Sequence, residues 1–202
     1  MSRKKIVIIG AGGHGRVVAD IARLSGYSEI LFLDDNPENK YCKVVGKTAD
    51  YIKFDKDYDF FVAIGNNGTR RKICERLNSS GIETVTLSHP SAIICQDVKI
   101  GKGTVVMAGA VINTNAILGE GVIINTSSSV DHDCVVGDFS HIAVGAHLAG
   151  TVEIGNNVFI GAGATIINDV TVCKDCIIGA GSVIVRNLTK SGTYYGVPAK
   201  LK

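Results

Sequence analysis

No run of residues approaches the roughly 18 consecutive apolar positions that a membrane helix needs. The basic start Met1–Lys5 is followed by only four apolar residues, Ile6–Ile9, before glycines intervene. That pattern predicts a buried strand rather than a secretory leader, so a cytoplasmic protein without a membrane partner is expected. Basic runs are lacking as well. The net charge is only +2, without the clustered Lys and Arg of a nucleic-acid-binding surface. Cysteine pairs are scarce: Cys173 and Cys176 form a CxxC, but no second pair accompanies them. A four-thiolate zinc site is therefore not expected. Hydrophobic residues make up 46% and charged residues 20% of 202 residues. That is enough apolar material for one large or two small domains.

What the chain does have is a strict repeat. From Ile94 to Ile184 every sixth residue is Ile, Val or Leu. A second series, two residues earlier, runs from Ala92 to Ser182 and holds only small or modest side chains, Cys134 and Cys176 among them. In such a slot a thiol acts as a compact hydrophobe. A period of six means short strands meeting at tight corners, stacked as a parallel β-helix. Three hexads make a triangular coil of 18 residues, and about five and a half coils at roughly 4.8 Å each give a prism on the order of 26 Å tall. Glycine, Asn and Asp recur at the expected corners, as in Gly155-Asn156-Asn157, where tight turns call for them.

Residues 1–88 lack this period. Lys5–Ile9, Glu29–Leu33, Asp59–Ile64 and Thr84–Leu87 read as strands, and Arg16–Leu24 and Thr69–Asn78 as helices. Asp34-Asp35-Asn36-Pro37 is a strong turn signal. Alternating strands and helices predict a small parallel sheet covered on both faces. The expected fold is an α/β Rossmann-like domain over 1–88 followed by a β-helix over 89–202, divided near Ser88-His89-Pro90.

Two constellations carry chemistry. Gly10-Ala11-Gly12-Gly13-His14-Gly15 follows a strand and opens a helix, with Asp34-Asp35 about 20 residues on. Such glycines let a phosphate approach the N–H groups of a helix N-terminus. An acidic residue after the second strand can accept hydrogen bonds from a ribose or base. The sheet is half the size of a dinucleotide domain, so a mononucleotide fits better. The alternative is a glycine turn that merely packs helix on strand. The second constellation is Asp131-His132-Asp133, predicted to project outward from a corner. Flanking carboxylates hold one ring tautomer and raise basicity, which suits a general base. The alternative is a solvated polar corner. His141 and His147 hold equivalent outward slots in successive hexads, on different faces.

GAGGHG at 10–15, FLDD at 32–35, DFFVAIGNN at 59–67, NTSSSVDHDCVVGDFSHIAVGA at 125–146 and the ending Gly196-Val197-Pro198-Ala199-Lys200 resemble one family along the whole chain. It is the bacterial hexapeptide-repeat sugar-nucleotide acetyltransferases. The family includes sialic acid O-acetyltransferase-like proteins and the N-acetyltransferase of bacillosamine biosynthesis. The resemblance implies a left-handed helix, a homotrimer and acetyl-CoA as co-substrate. It implies that His132 is the general base, with Asp133 standing where the family has a Glu that increases its basicity. Gly12, Gly13 and His14 match the loop on the UDP-sugar phosphates, Asp34 and Asp35 the acidic pair on the nucleotide, and Gly65 another substrate contact. His141, Ala162 and Ala180 match acetyl-CoA contacts; the two alanines replace other small or aliphatic residues, which backbone contacts tolerate. No metal is expected. Carbonic anhydrases on this same scaffold use three histidines, two of them separated by four residues. The gaps here are nine (132 to 141) and six (141 to 147). The expected reaction is acetyl transfer to the 4-amino group of a UDP-linked amino-dideoxy-sugar. The alternatives are O-acetylation of sialic acid, N-acetylation of a GDP-linked amino-sugar such as perosamine, and a non-catalytic sugar-nucleotide-binding protein.

Overall fold

The computed structural model describes residues 4–36, 42–54 and 57–202. Its N-terminal part is a parallel sheet of four strands, β1 (Lys4–Ile9), β2 (Tyr27–Leu33), β3 (Val44–Gly46) and β4 (Tyr58–Val62), in the order β3-β2-β1-β4. Helix α1 (Gly13–Leu24) follows β1, and α2 (Asn67–Ser79) follows β4. The period-two pattern of β1 divides its side chains. Ile6 and Ile8 join Val18, Ala19 and Ala22 of α1 in one core. Val7 and Ile9 join Cys74 and Leu77 of α2 in another. Both faces are thus covered, as a parallel sheet requires.

Two expectations are corrected here. The fourth strand is β3, in a stretch the sequence left without an element. Thr84–Leu87 is not a strand of this sheet: Thr84 makes one bridge to Phe60. The N–H of Leu87 already donates to the Thr104 carbonyl (3.0 Å) of the second layer. A short β-branched segment suits either sheet, and here the repeat claims it. Helix α1 also starts three residues early, at Gly13. Pro37 of the expected turn lies outside the described residues.

The rest is a parallel β-solenoid of two-residue strands on three faces. Face 1 carries Leu87–Ser88 and then Val105, Ile123, His141, Phe159 and Ile177 outward; its sheet ends in Gly192–Gly196 and Ala199–Leu201. Face 2 carries Ser129, His147 and Thr165. Face 3 carries Ile117, Val135 and Glu153. Because Leu87 starts the ladder, the stack is about six turns, slightly more than the repeat count predicts. Both inward series are buried from Thr104 upward. Polar members of the small series are satisfied in place: Ser140 Oγ donates to the Gly155 carbonyl (2.8 Å) and accepts from Val158 N (3.0 Å). Corner residues adopt positive φ at 18-residue intervals, as at Asn115, Asp133, Thr151 and Asp169. Cys134 and Cys176 are buried in the inward slots, and Cys176 lies 3.6 Å from the Cys173 sulfur.

The N-terminal sheet sits on face 1. Helix α1 packs with Val105, Met107 and Ile123. Arg70 of α2 is 1% exposed and bonds Gly121 and Phe139, which belong to the corner between faces 3 and 1.

Candidate active site

The nucleotide-loop residues converge because parallel strands end on one edge. β1 runs into Gly10–Gly15, β2 into Asp34 and Asp35, and β4 into Gly65. This edge, beside the point where the strand order reverses, is where open α/β sheets bind ligands. The glycines divide in role. A Cβ at Gly15 would lie 1.9 Å from the Gly10 carbonyl oxygen, so Gly15 packs helix on strand. Gly12 and Gly13 are exposed with no crowding atom, and Gly12 is the N-cap of α1. They leave helix N–H groups open to an anion.

The two aspartates also differ. Asp34 gives one oxygen to Ala11 N (2.6 Å) and the other to Asn36 N (2.8 Å). Its carboxylate therefore shapes the glycine loop. Asp35 accepts from Thr48 N (2.9 Å) through one oxygen, and its other oxygen has no partner among the described residues. Asp34 and Asp35 line a cavity of about 300 Å³ with Val44, Gly46, Lys47 and Asp50.

His14 and His141 face the buried seam between sheet and solenoid. The outward slot of His141 is covered by the N-terminal domain, so the side chain is only 9% exposed. Its Nε2 pairs with Asn125 Nδ2 (3.0 Å), and its ring meets Phe159 edge-on at 5.1 Å. Nδ1 of His141 and Nε2 of His14 are buried without a hydrogen bond among the described residues. Burial, reinforced by the Arg70 charge, pushes His14 down to about 4 and His141 down to about 3; His14 adds to the second shift and the Gly65 backbone opposes it. Both rings are neutral at pH 7. Unfolding frees them to take protons below their ordinary value near 6.5, so the unfolded state gains stability as pH falls. Stability should be fully present above pH 6.5 and drop by about 2–4 kcal/mol between pH 6.5 and 5. Urea unfolding at the two pH values checks this; equal stability would mean the folded rings accept protons. His147, on face 2, is exposed, with Nδ1 2.9 Å from Ser129 Oγ.

Next to this seam, Gly65–Gly68 and Asn157, Phe159 and Ile177 frame a groove of about 420 Å³. Ala162 and Ala180 are exposed on the neighbouring corner, between faces 1 and 2, one coil apart. Of the positive-φ residues of that corner, Gly145, Gly163 and Gly181 have open space at Cβ, whereas Gly109 faces Ser127, itself at positive φ. The other corners fill the same backbone conformation mostly with Asn, Asp, Thr and Phe, beside Gly103 and Gly121. Backbone geometry thus does not force glycine here. A bare corner lets an extended ligand approach the main chain.

His132 lies on the third corner, between faces 2 and 3, opposite face 1. Its Nδ1 is 2.9 Å from Asp133 Oδ2. Its backbone N–H donates to Asp131 Oδ1 (2.7 Å). The ring is exposed. The hydrogen bond to Asp133 raises its pKa, helped by the charges of Asp131, Asp133 and Asp169 against the desolvation the ring suffers. With Nδ1–H donated to Asp133, Nε2 carries the lone pair. No group of three or more His, Cys, Asp or Glu among the described residues is placed to hold a metal. Nor is any described helix long and apolar enough to cross a membrane.

Known proteins match this arrangement. The PglD N-terminal domain family covers residues 5–77, and the bacterial transferase hexapeptide family covers residues 151–186. The acetyltransferase domain of PglB from Neisseria gonorrhoeae FA1090, solved in complex with acetyl coenzyme A, is 41% identical. It covers 100% of both chains with a TM-score of 0.95. The chain belongs to the hexapeptide-repeat sugar-nucleotide acetyltransferase family. Another structure of this kind, a histidine-to-alanine variant of GDP-perosamine N-acetyl transferase from Caulobacter crescentus in complex with CoA and GDP-perosamine, is 38% identical. It covers 98% of this chain and 96% of that one, with a TM-score of 0.91. The UDP-N-acetylbacillosamine N-acetyltransferase of Bacillus subtilis is 33% identical over 112 residues, 52% of this chain and 52% of the relative. The chain thus spans about half the length of the curated relatives it matches. Within this acetyltransferase-family chain, the structure brings Gly12, Gly13, His14, Gly65 and His141 together at face 1. It puts His132 and Asp133 on the opposite corner. Sequence reasoning did not find Arg70, Asn125 or Phe159, which build the seam.

Proposed function

We propose that the chain transfers an acetyl group from acetyl-CoA to the 4-amino group of a UDP-linked amino-dideoxy-sugar. The observation that carries this reading is His132: an exposed imidazole with Nδ1 fixed by Asp133 and Nε2 left as a base. Acetyl-CoA supplies the activated thioester. His132 Nε2 takes the proton from the attacking amine as the N–C bond forms and the C–S bond breaks, then returns it to the departing thiolate. Both substrates are bound at once, so no covalent enzyme intermediate is required. Gly12, Gly13 and the start of α1 hold the diphosphate, Asp35 holds the nucleoside through its unpartnered oxygen, and Gly65 borders the sugar. Ala162 and Ala180 give main-chain contacts to acetyl-CoA along the bare corner between faces 1 and 2, with His141 at its edge.

His132 and the nucleotide loops lie on opposite sides of one prism. A working site therefore combines His132 of one subunit with the loops and bare corner of the next. A closed homotrimer meets that demand, since three copies around an axis give three identical heterologous contacts. The domain division near 88–90 separates the part that holds nucleotide from the part that holds acetyl-CoA. This reading places the reaction in the cytoplasm.

The test is a panel of UDP- and GDP-linked 4-amino sugars with acetyl-CoA. Turnover should be highest with a UDP-linked acceptor, and Asp35→Ala should raise KM for it about tenfold or more, the effect of losing a hydrogen bond to a charged group. Turnover with GDP-linked sugars alone would replace the acceptor; none with any acceptor would remove the enzymatic reading.

A further inference from the structure

Around His132 the 18-residue coil places specific neighbours. Asn115 lies one coil before Asp133, and its Nδ2 donates to Asp133 Oδ1 (3.1 Å). Asp133 Oδ2 is the oxygen that meets His132 Nδ1. The carboxylate is therefore held at both ends, one oxygen on the ring and the other on the amide. Asn115 is itself anchored: its backbone N–H donates to Asp97 Oδ2 (3.1 Å), which also accepts from Thr114 Oγ1 (2.6 Å). On the other flank Asn113 Nδ2 donates to Asp131 Oδ1 (2.7 Å), the same oxygen that receives the His132 backbone N–H. One coil after His132 stands Gly150, where a Cβ would lie 2.5 Å from ring atoms Cε1 and Nε2. The imidazole edge rests on that glycine's backbone.

Backbone conformation does not dictate asparagine at 115. The same corner places Asp133, Thr151 and Asp169 at nearly the same φ. What asparagine adds is a neutral donor. An aspartate there would set carboxylate against carboxylate, whereas a neutral donor at this corner holds the next coil's carboxylate, as Thr151 Oγ1 also does for Asp169 Oδ1. We infer that Asn115 is a positioning residue for the proposed reaction, acting through Asp133 to fix the tautomer and plane of His132, with Asn113 and Gly150 holding the other sides. This rests on the reading of His132 as the base. Orienting groups one layer out commonly matter in this way, because a base must be held within a narrow range of angles.

The experiment is a double-mutant cycle with a pH profile. Asn115→Gly removes the amide and keeps the backbone conformation available; Asn115→Ala is the second variant, which strips the donor and keeps the Cβ that Asn115 already holds at a φ of 59°. Either variant should lower kcat about tenfold, the scale of coupling between contacting residues, with KM for both substrates within about twofold. The acidic limb of the kcat/KM profile should move to lower pH, because an unheld Asp133 supports the imidazolium less. Combined with Asp133→Gly, either variant should cost nothing further. Multiplicative losses, or an acidic limb that stays put, would overturn the role of Asn115. Full turnover in His132→Ala would instead remove the base reading and this inference with it. A His132→Ala loss beside an unshifted Asn115 profile would overturn the inference alone.

Discussion

Replacing His132 with alanine is expected to lower kcat by roughly 10²–10⁴-fold, the usual worth of a positioned general base. Binding of the nucleotide sugar should be nearly unchanged, because His132 stands opposite the face that carries Gly12, His14 and Asp35. The amine nucleophile must be neutral when it meets the thioester, so a base is useful only if it is itself unprotonated at working pH. The carboxylates raise the pKa of His132, so activity should fall on the acid side as Nε2 becomes protonated. A steady-state assay with isothermal titration of the nucleotide sugar separates the two effects. A variant with unchanged kcat would take His132 out of the mechanism. The separation of site halves adds a second readout. Mixing His132→Ala with Asp35→Ala subunits, then refolding together, should restore part of the activity, because some junctions then combine an intact base with an intact nucleotide loop. No recovery would place both halves in one subunit.

The solenoid was legible because its period is covalent arithmetic. A six-residue repeat puts Ile112, Ile142 and Ile166 inside whatever else the chain does. The same arithmetic, carried to 18, identifies partners that a scan for local motifs passes over. Asn115 is Asp133 less one coil, and Gly150 is His132 plus one coil. By contrast, nothing local distinguishes His141 from His147. They hold equivalent slots in successive hexads, yet one is buried and the other exposed, because the N-terminal domain covers face 1 and not face 2. The start of α1 was also hidden: Gly13 and Gly15 are poor helix formers, and the close approach of Gly15 to the Gly10 carbonyl after β1, which leaves no room for a side chain, overrides that preference. Arg70 left no signal, since most of its partners are backbone carbonyls, which every residue carries.

Arg70 should be the costliest single side chain to lose for stability. Its Nε donates to Gly121 O (2.8 Å), Nη1 to Ile64 O (3.0 Å) and Gly65 O (3.2 Å), and Nη2 to Phe139 O (2.8 Å) and Asn67 Oδ1 (3.0 Å). One planar fork thus ties the loop after β4 to two solenoid coils more than fifty residues away. Burial pushes its pKa down to about 10, which leaves it charged at neutral pH. The charge has no carboxylate among those partners; carbonyl dipoles and the Asn67 amide oxygen offset its desolvation. Arg70→Met keeps the stem and strips every donor, leaving several buried carbonyls unsatisfied at about 1–3 kcal/mol each. Partial relaxation reduces the sum, so a loss of about 3–6 kcal/mol is expected, comparable to breaking a buried ionic contact. Arg70→Lys should fall between, since an ammonium cannot span acceptors laid out for a flat fork. Hydrogen exchange should show where the loss falls. Amides of β1, β4 and α2 should exchange faster, whereas those of the solenoid's inner coils should stay protected, because their ladder does not pass through Arg70. Uniformly faster exchange would mean that the two layers unfold as one unit. Unchanged stability in Arg70→Met would mean that water reaches those carbonyls and the seam is not sealed by the guanidinium.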